Sequence, residues 1–165
     1  MSYGRFLSHW LYRSRLLVAI VVIAVIGIAA MHLNRILEPS CTPVNGRQTV
    51  DLPLTELGPG TARTYCYRDP VGKIIRFIVA RDSDGAIHSA FDACRGCFEH
   101  NQGYRVSGGQ MVCRFCANRY SLKAMGSGEA SCVPINLPHL VRPNAVEIRV
   151  ADLEAGQKYF GENHD

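Results

Sequence analysis

The chain has 165 residues, is 47% hydrophobic and carries a formal charge of +4, which bounds it to one folded domain of ordinary size. All of that excess sits in Arg5, Arg13, Arg15 and Arg35, because residues 36–165 hold fourteen basic and fourteen acidic side chains. A balanced domain lacks the basic footprint that phosphate backbones require, so no nucleic-acid partner is expected.

The first element in chain order is apolar. From Leu16 to Met31 no side chain is polar, and no charge intervenes before Arg35. About 18–20 such residues cross a hydrocarbon core as a helix, which predicts a single transmembrane span over 16–34. A cleaved signal peptide fits less well: its apolar core runs about 7–15 residues, and the best small-x-small site, Gly27-Ile28-Ala29, is poor. Arg5, Arg13 and Arg15 precede the span, so the positive-inside bias leaves residues 1–15 in the cytoplasm and exports the remainder. Trp10 and Tyr12 suit the inner interface.

Residues 35–62 contain four prolines and three glycines and are expected to form a stalk. A domain over 63–165 follows. Arg63–Tyr67, Lys73–Arg81 and Ile87–Phe91 are rich in β-branched and aromatic residues, with a hairpin signal at Asp84-Gly85. Tyr104–Ser107 and Gln110–Val112 flank Gly108-Gly109; Arg119–Leu122 and Val146–Val150 supply further strands, and Asp152–Tyr159 reads as a short helix. Short strands at close intervals imply a mainly β domain, a small barrel or sandwich.

Within those strands lies the strongest chemical signal. Cys94-x2-Cys97 and, fifteen residues on, Cys113-x2-Cys116 form two knuckles, each expected at the head of a hairpin. Two such pairs close a tetrahedral sulfur site around zinc or the irons of an iron–sulfur cluster. Four thiolates on a divalent ion leave a charge of −2; Arg95, Arg105, Arg114, Arg119 and Lys123 are at hand to offset it, or face water. His88, His100 and His139 are weaker ligand candidates, Met111 reads as packing or as a soft ligand for copper(I), and Tyr104, Phe115 and Tyr120 as shielding. Rieske domains use two loops in this way, each giving one Cys and one His; here cysteine stands where the histidines would be, which predicts a Rieske-like fold with an all-sulfur site.

The run AFDAC-x2-CF, GYR, MVC-x2-CANRY, GSGEASCVP and VEIRVADLEAGQKYF resembles the FtrD-like membrane iron–sulfur proteins over about residues 72–160. The resemblance implies a membrane-anchored metal protein that passes electrons on the extracytoplasmic side during bacterial iron uptake, with an iron permease and a redox protein as partners. It carries the ligand role to Cys94, Cys97, Cys113 and Cys116. It sets Cys132 at a later Gly-Cys-x-Pro position, although Ala130-Ser131 stand where that family has paired glycines.

Cys132 is open to three readings: a further ligand, a lid beside the metal, or half of a disulfide. Cys41 and Cys66 are disulfide candidates, either with each other or one of them with Cys132. Three functions compete: an electron carrier with an iron–sulfur cluster, a zinc-stapled interaction module, and a dithiol oxidoreductase using Cys94-x2-Cys97. The last needs a helix N-terminus beneath its first cysteine, and none is predicted.

Overall fold

The computed structural model describes residues 20–25, 27, 41–126 and 132–161. The chain divides into two units, residues 1–39 and 40–165. Most of the expected span over 16–34 lies outside the described residues. The part that is described, 20–25 and 27, is helical, with Ile20, Val21, Val22, Ile23 and Val25 exposed. Among the described residues no helix is long and apolar enough to cross a membrane.

The second unit is mainly β. Its strands are β1 (Thr42–Val44), β2 (Thr49–Pro53), β3 (Thr61–Arg68), β4 (Ile74–Arg81), β5 (Ile87–Cys94), β6 (Tyr104–Ser107), β7 (Gln110–Cys113), β8 (Arg119–Ser121), β9 (Pro134–Asn136), β10 (Leu140–Val141) and β11 (Ala145–Arg149). They form three small sheets, ordered β1-β3-β4-β5-β9, β10-β11-β2 and β6-β7-β8. The expected barrel is not closed: the five-stranded sheet ends in β1 and β9 and does not curl onto itself. It serves as a central layer instead.

Strand β4 shows why. Its sequence, IIRFIVAR, is almost continuously apolar because both of its faces are covered. Ile75, Phe77 and Val79 join a large core with Val50, Leu52, Tyr65, Phe91, Val146, Ile148 and Leu153. Ile78 and Ala80 face the other way and join Ala90, Cys94, Tyr104, Met111 and Cys113. Alternate side chains of one strand thus serve two cores, as the period of two requires. One core is hydrocarbon and the other is built around sulfur.

The stretch expected as a stalk over 35–62 is largely part of the domain. Strand β2 pairs antiparallel with β11 over Thr49–Pro53, and Val50, Leu52 and Leu57 are buried. The prolines that suggested a linker sit where the ladder tolerates them: Pro43 in edge strand β1, Pro53 as the last residue of β2. Strand β1 runs parallel to β3, placing Pro43 opposite Cys66.

The C-terminal helix runs Val150–Ala155 and ends at Gly156, followed by a 3-10 turn over Gln157–Tyr159, rather than extending unbroken over Asp152–Tyr159. A Cβ on Gly156 would collide with the ring of Phe91, so this close approach requires glycine. Phe91 also meets Tyr159 and Phe160 at ring-centroid distances of 5.7 and 6.2 Å.

Candidate metal centre

Three separate elements deliver the thiols. Cys94 is the last residue of β5, and its carbonyl accepts from the Cys97 N–H at 3.2 Å. The chain then turns through Phe98–His100, where the His100 N–H donates to the Cys97 carbonyl at 3.2 Å. Strand β5 pairs with β4 and β9 and not with β6, so the first knuckle is a strand end and not the hairpin head expected from its sequence. The second knuckle is a hairpin head: Cys113 ends β7, Arg119 begins β8, and the two strands pair antiparallel. The Ala117 N–H closes this turn onto the Cys113 carbonyl at 3.0 Å, with Ala117 at φ 60°. A left-handed alanine costs on the order of 1 kcal/mol or more, and it sits directly after Cys116. Cys132 stands just before β9, whose Pro134 lies opposite Cys94 in the ladder.

The thiols converge. The Cys97 Sγ lies 2.6 Å from that of Cys94 and 3.6 Å from that of Cys113. Two groups form in which all sulfur atoms lie within 4.8 Å of one another: Cys94, Cys97 and Cys132, then Cys97, Cys113 and Cys116. Cys94, Cys97 and Cys113 are buried, Cys116 and Cys132 half-buried, and none of the five is in a disulfide. Zinc–sulfur bonds of about 2.3 Å place tetrahedral sulfurs roughly 3.8 Å apart. The 3.6 Å pair already matches that spacing, whereas Cys94 and Cys97 would part by about 1 Å to share an ion.

Electrostatics supports a cation here. Burial, followed by hydrogen bonding to Cys94 and Cys113, pushes the Cys97 thiol far above its ordinary pKa. The Cys97 thiol therefore resists ionisation until a positive charge enters, after which its thiolate is a ligand. The donor set is therefore suited to a thiophilic metal or an iron–sulfur cluster. Tyr104 is buried beside it. Burial and then Cys94 hold its phenol strongly protonated, and its hydroxyl donates to the Cys132 carbonyl at 2.7 Å.

A buried carboxylate, not singled out from the sequence, ties the knuckles together. Asp92 lies two residues before Cys94 and is 6% exposed. Its Oδ1 accepts the Tyr104 N–H at 2.6 Å and its Oδ2 faces Arg76 Nε at 3.3 Å. Burial raises its pKa to about 6, against the lowering effects of the Tyr104 N–H and of Arg76 and Arg114. From the other knuckle, Arg114 donates its backbone N–H to Gly103 O and its Nε to Tyr104 O, each at 3.0 Å. The Gly103–Tyr104 backbone is thus strapped to both Cys pairs. Gly103 takes φ 64°, and a Cβ there would collide with the Asp92 carboxylate. The sequence signal was an acid at the end of an apolar strand, followed by a glycine in the intervening loop.

The remaining candidates fall elsewhere. Neither thiol group includes a histidine. His100 stacks on Phe115, ring centroids 3.7 Å apart and planes at 11°, joining the two knuckles at the surface. His88 pairs with Asp82 at 2.9 Å. His139 Nδ1 meets Ser89 Oγ at 2.7 Å, while that hydroxyl donates to Leu137 O at 2.5 Å. Lys123 pairs with Asp84, and Arg95, Arg105 and Arg119 are exposed. Met111 is fully buried packing in the sulfur-rich core. Of the disulfide readings, the structure selects Cys41 with Cys66, their Cα atoms 5.6 Å apart.

Comparison with known proteins agrees with this chemistry. The family described as "Membrane iron-sulfur containing protein FtrD-like" matches residues 57–160, most of the chain, and the chain belongs to that family. The matched stretch begins earlier than the motif run at 72, and takes in β3 and Cys66 as well as all five thiols. No curated protein and no solved structure matches the chain.

Proposed function

Starting from membership of the FtrD-like iron–sulfur family, we propose that this protein is a membrane-anchored electron carrier of bacterial iron uptake. Residues 16–34 anchor it in the cytoplasmic membrane with 1–15 inside, and the metal domain lies on the periplasmic or extracytoplasmic side. Cys94, Cys97, Cys113 and Cys116 hold the cluster. When bound, an iron–sulfur cluster supplies one-electron redox chemistry. The chain supplies the thiolates, keeps water away through Tyr104 and Met111, and fixes the two knuckles through Asp92. An iron permease and a redox protein are the partners that family membership suggests.

One observation carries the reading: a disulfide and a crowd of reduced thiols coexist in one domain. Disulfides such as Cys41–Cys66 persist in oxidising compartments. Thiols as close as Cys94 and Cys97 would oxidise there unless a metal occupied them. Export and metal loading are therefore linked. A dithiol oxidoreductase fits poorly, because Cys94 ends a strand and is followed by a turn rather than by a helix that would activate it.

The test is the full chain, extracted in detergent and purified without oxygen. Iron with inorganic sulfide, and a visible spectrum that dithionite bleaches, are expected. A colourless protein with stoichiometric zinc would replace the electron carrier by a zinc-stapled module.

A further inference from the structure

The sheet β6-β7-β8 turns one side to the sulfur core, through Tyr104, Met111 and Cys113. Side chains alternate along a strand, so the register sets the other side residue by residue. Arg105, Val112 and Arg119 form one cross-strand row, and Ser107, Gln110 and Ser121 the next. All but Val112 are exposed. This outer face carries two guanidinium groups and no carboxylate.

Charge in this layer departs from the balance of the whole domain. Residues 94–126 hold five basic side chains against one acid, Glu99, which leaves nine against thirteen over the rest of 36–165. Elsewhere Arg63, Arg76, Arg142 and Arg149 each meet a carboxylate at 3.3 Å or less. Arg95, Arg105 and Arg119 are exposed and, among the described residues, in no ion pair. At the head of the β7–β8 hairpin Phe115 is 49% exposed and stacks on His100 of the first knuckle. Phe115 directly precedes Cys116, so an aromatic contact surface meets solvent beside the metal centre. Arginine and aromatic side chains are the types enriched where proteins meet.

We propose that the outer face of β6-β7-β8, with Phe115 and His100 at its hairpin head, is the docking surface for an acidic redox protein. A second copy of this chain would set like charges against each other here, whereas an acidic face is complementary. Encounters between redox proteins bury little area, which suits a face of three short strands. The partner's redox character rests on the electron-carrier reading above; its charge rests on this surface alone.

The test uses the full chain in detergent and two variants of equal charge change. Arg105→Glu/Arg119→Glu alters the face; Arg47→Glu/Lys158→Glu alters exposed positions away from these strands. Fluorescein-labelled decaglutamate stands in for the acidic partner, and its anisotropy reads binding without any electron transfer. The face variant is expected to bind about tenfold more weakly than wild type, and the control to keep most of its affinity. Wild-type binding should weaken between about 0.01 M and about 0.15 M salt, as the screening length falls from about 30 Å to about 8 Å. No binding to wild type, or equal losses in both variants, would overturn the proposal. Ferricyanide, an anionic acceptor, takes one electron from the dithionite-reduced protein and becomes ferrocyanide. Slower oxidation in the face variant alone is expected, and equal rates in both variants would overturn an electron exit at this face. A colourless protein that still binds decaglutamate through Arg105 and Arg119 would overturn the redox character of the partner and leave the docking surface standing. The remaining occupant is an anionic membrane. Phenylglyoxal is expected to label Arg105 and Arg119 equally in phosphatidylglycerol and phosphatidylcholine nanodiscs; protection by phosphatidylglycerol would place the face on lipid and overturn the protein partner.

Discussion

The two faces of the five-stranded sheet are held in different ways. On one face Phe77, Ile75 and Val79 meet Val50, Leu52, Ile148 and Leu153, a core of hydrocarbon whose members are almost fully buried. On the other, Ile78, Ala80 and Ala90 meet Tyr104, Met111 and five cysteines, beneath a three-stranded sheet of three- and four-residue strands. Strands so short do not hold a layer by themselves. The first face needs only apolar burial, whereas the second needs something for its thiols to bind. Fold stability and cofactor retention should therefore be separable within one small domain.

The largest effect that tests this separation is Cys113→Ser. Losing the metal removes binding energy on the order of 10 kcal/mol from the sulfur-side layer. Amide exchange in β6, β7 and β8 is expected to become fast while the amides of β4 stay protected. Uniform loss of protection in both layers, or no change in either, would break the comparison.

Phe77→Ala is the converse. Phe77 is fully buried and stacks on Tyr65 with centroids 5.5 Å apart, so truncation should cost about 3–5 kcal/mol. A denaturant midpoint will show that loss, while metal per folded chain is expected to stay at the wild-type value. Loss of metal in the folded fraction would mean that the two faces are not independent.

Much of this was legible before folding. The knuckles announced themselves by spacing, and Tyr104–Ser107 matched its strand to the residue because a Gly-Gly turn follows it. Lys73–Arg81 read as a strand from its β-branched and aromatic residues, and β4 runs Ile74–Arg81, although the covering of both its faces was not read. What escaped depends on distant partners. Thr49–Pro53 reads as a linker until β11, nearly a hundred residues later, supplies the other half of its ladder. Pro134–Asn136 is a strand only because β5 is beside it. Asp92 looked like an ordinary strand-end acid. Its role follows from Arg76, Gly103 and Tyr104 arriving around it, which no local pattern encodes. Likewise, Cys132 could be counted in the sequence but not assigned to a side of the centre.

The smallest expected effect concerns the start of the domain. Cys41 and Cys66 close a loop of 25 residues, and Cys41→Ser should lower stability by about 3 kcal/mol through release of the unfolded chain. Because Cys66 lies on β3, within the central sheet, the loss is expected in the global denaturant midpoint and not in metal content. A reduced metal count in this variant would show that the disulfide reaches the sulfur face.

The claim beneath all of this is that cysteines from separate elements meet on one metal centre. X-ray absorption at the iron and zinc edges of the anaerobically purified full chain addresses it most directly. An iron edge with a first shell of sulfur alone is expected. A shell of oxygen and nitrogen, or a metal-free protein with Cys94 and Cys97 oxidised to each other, would contradict it.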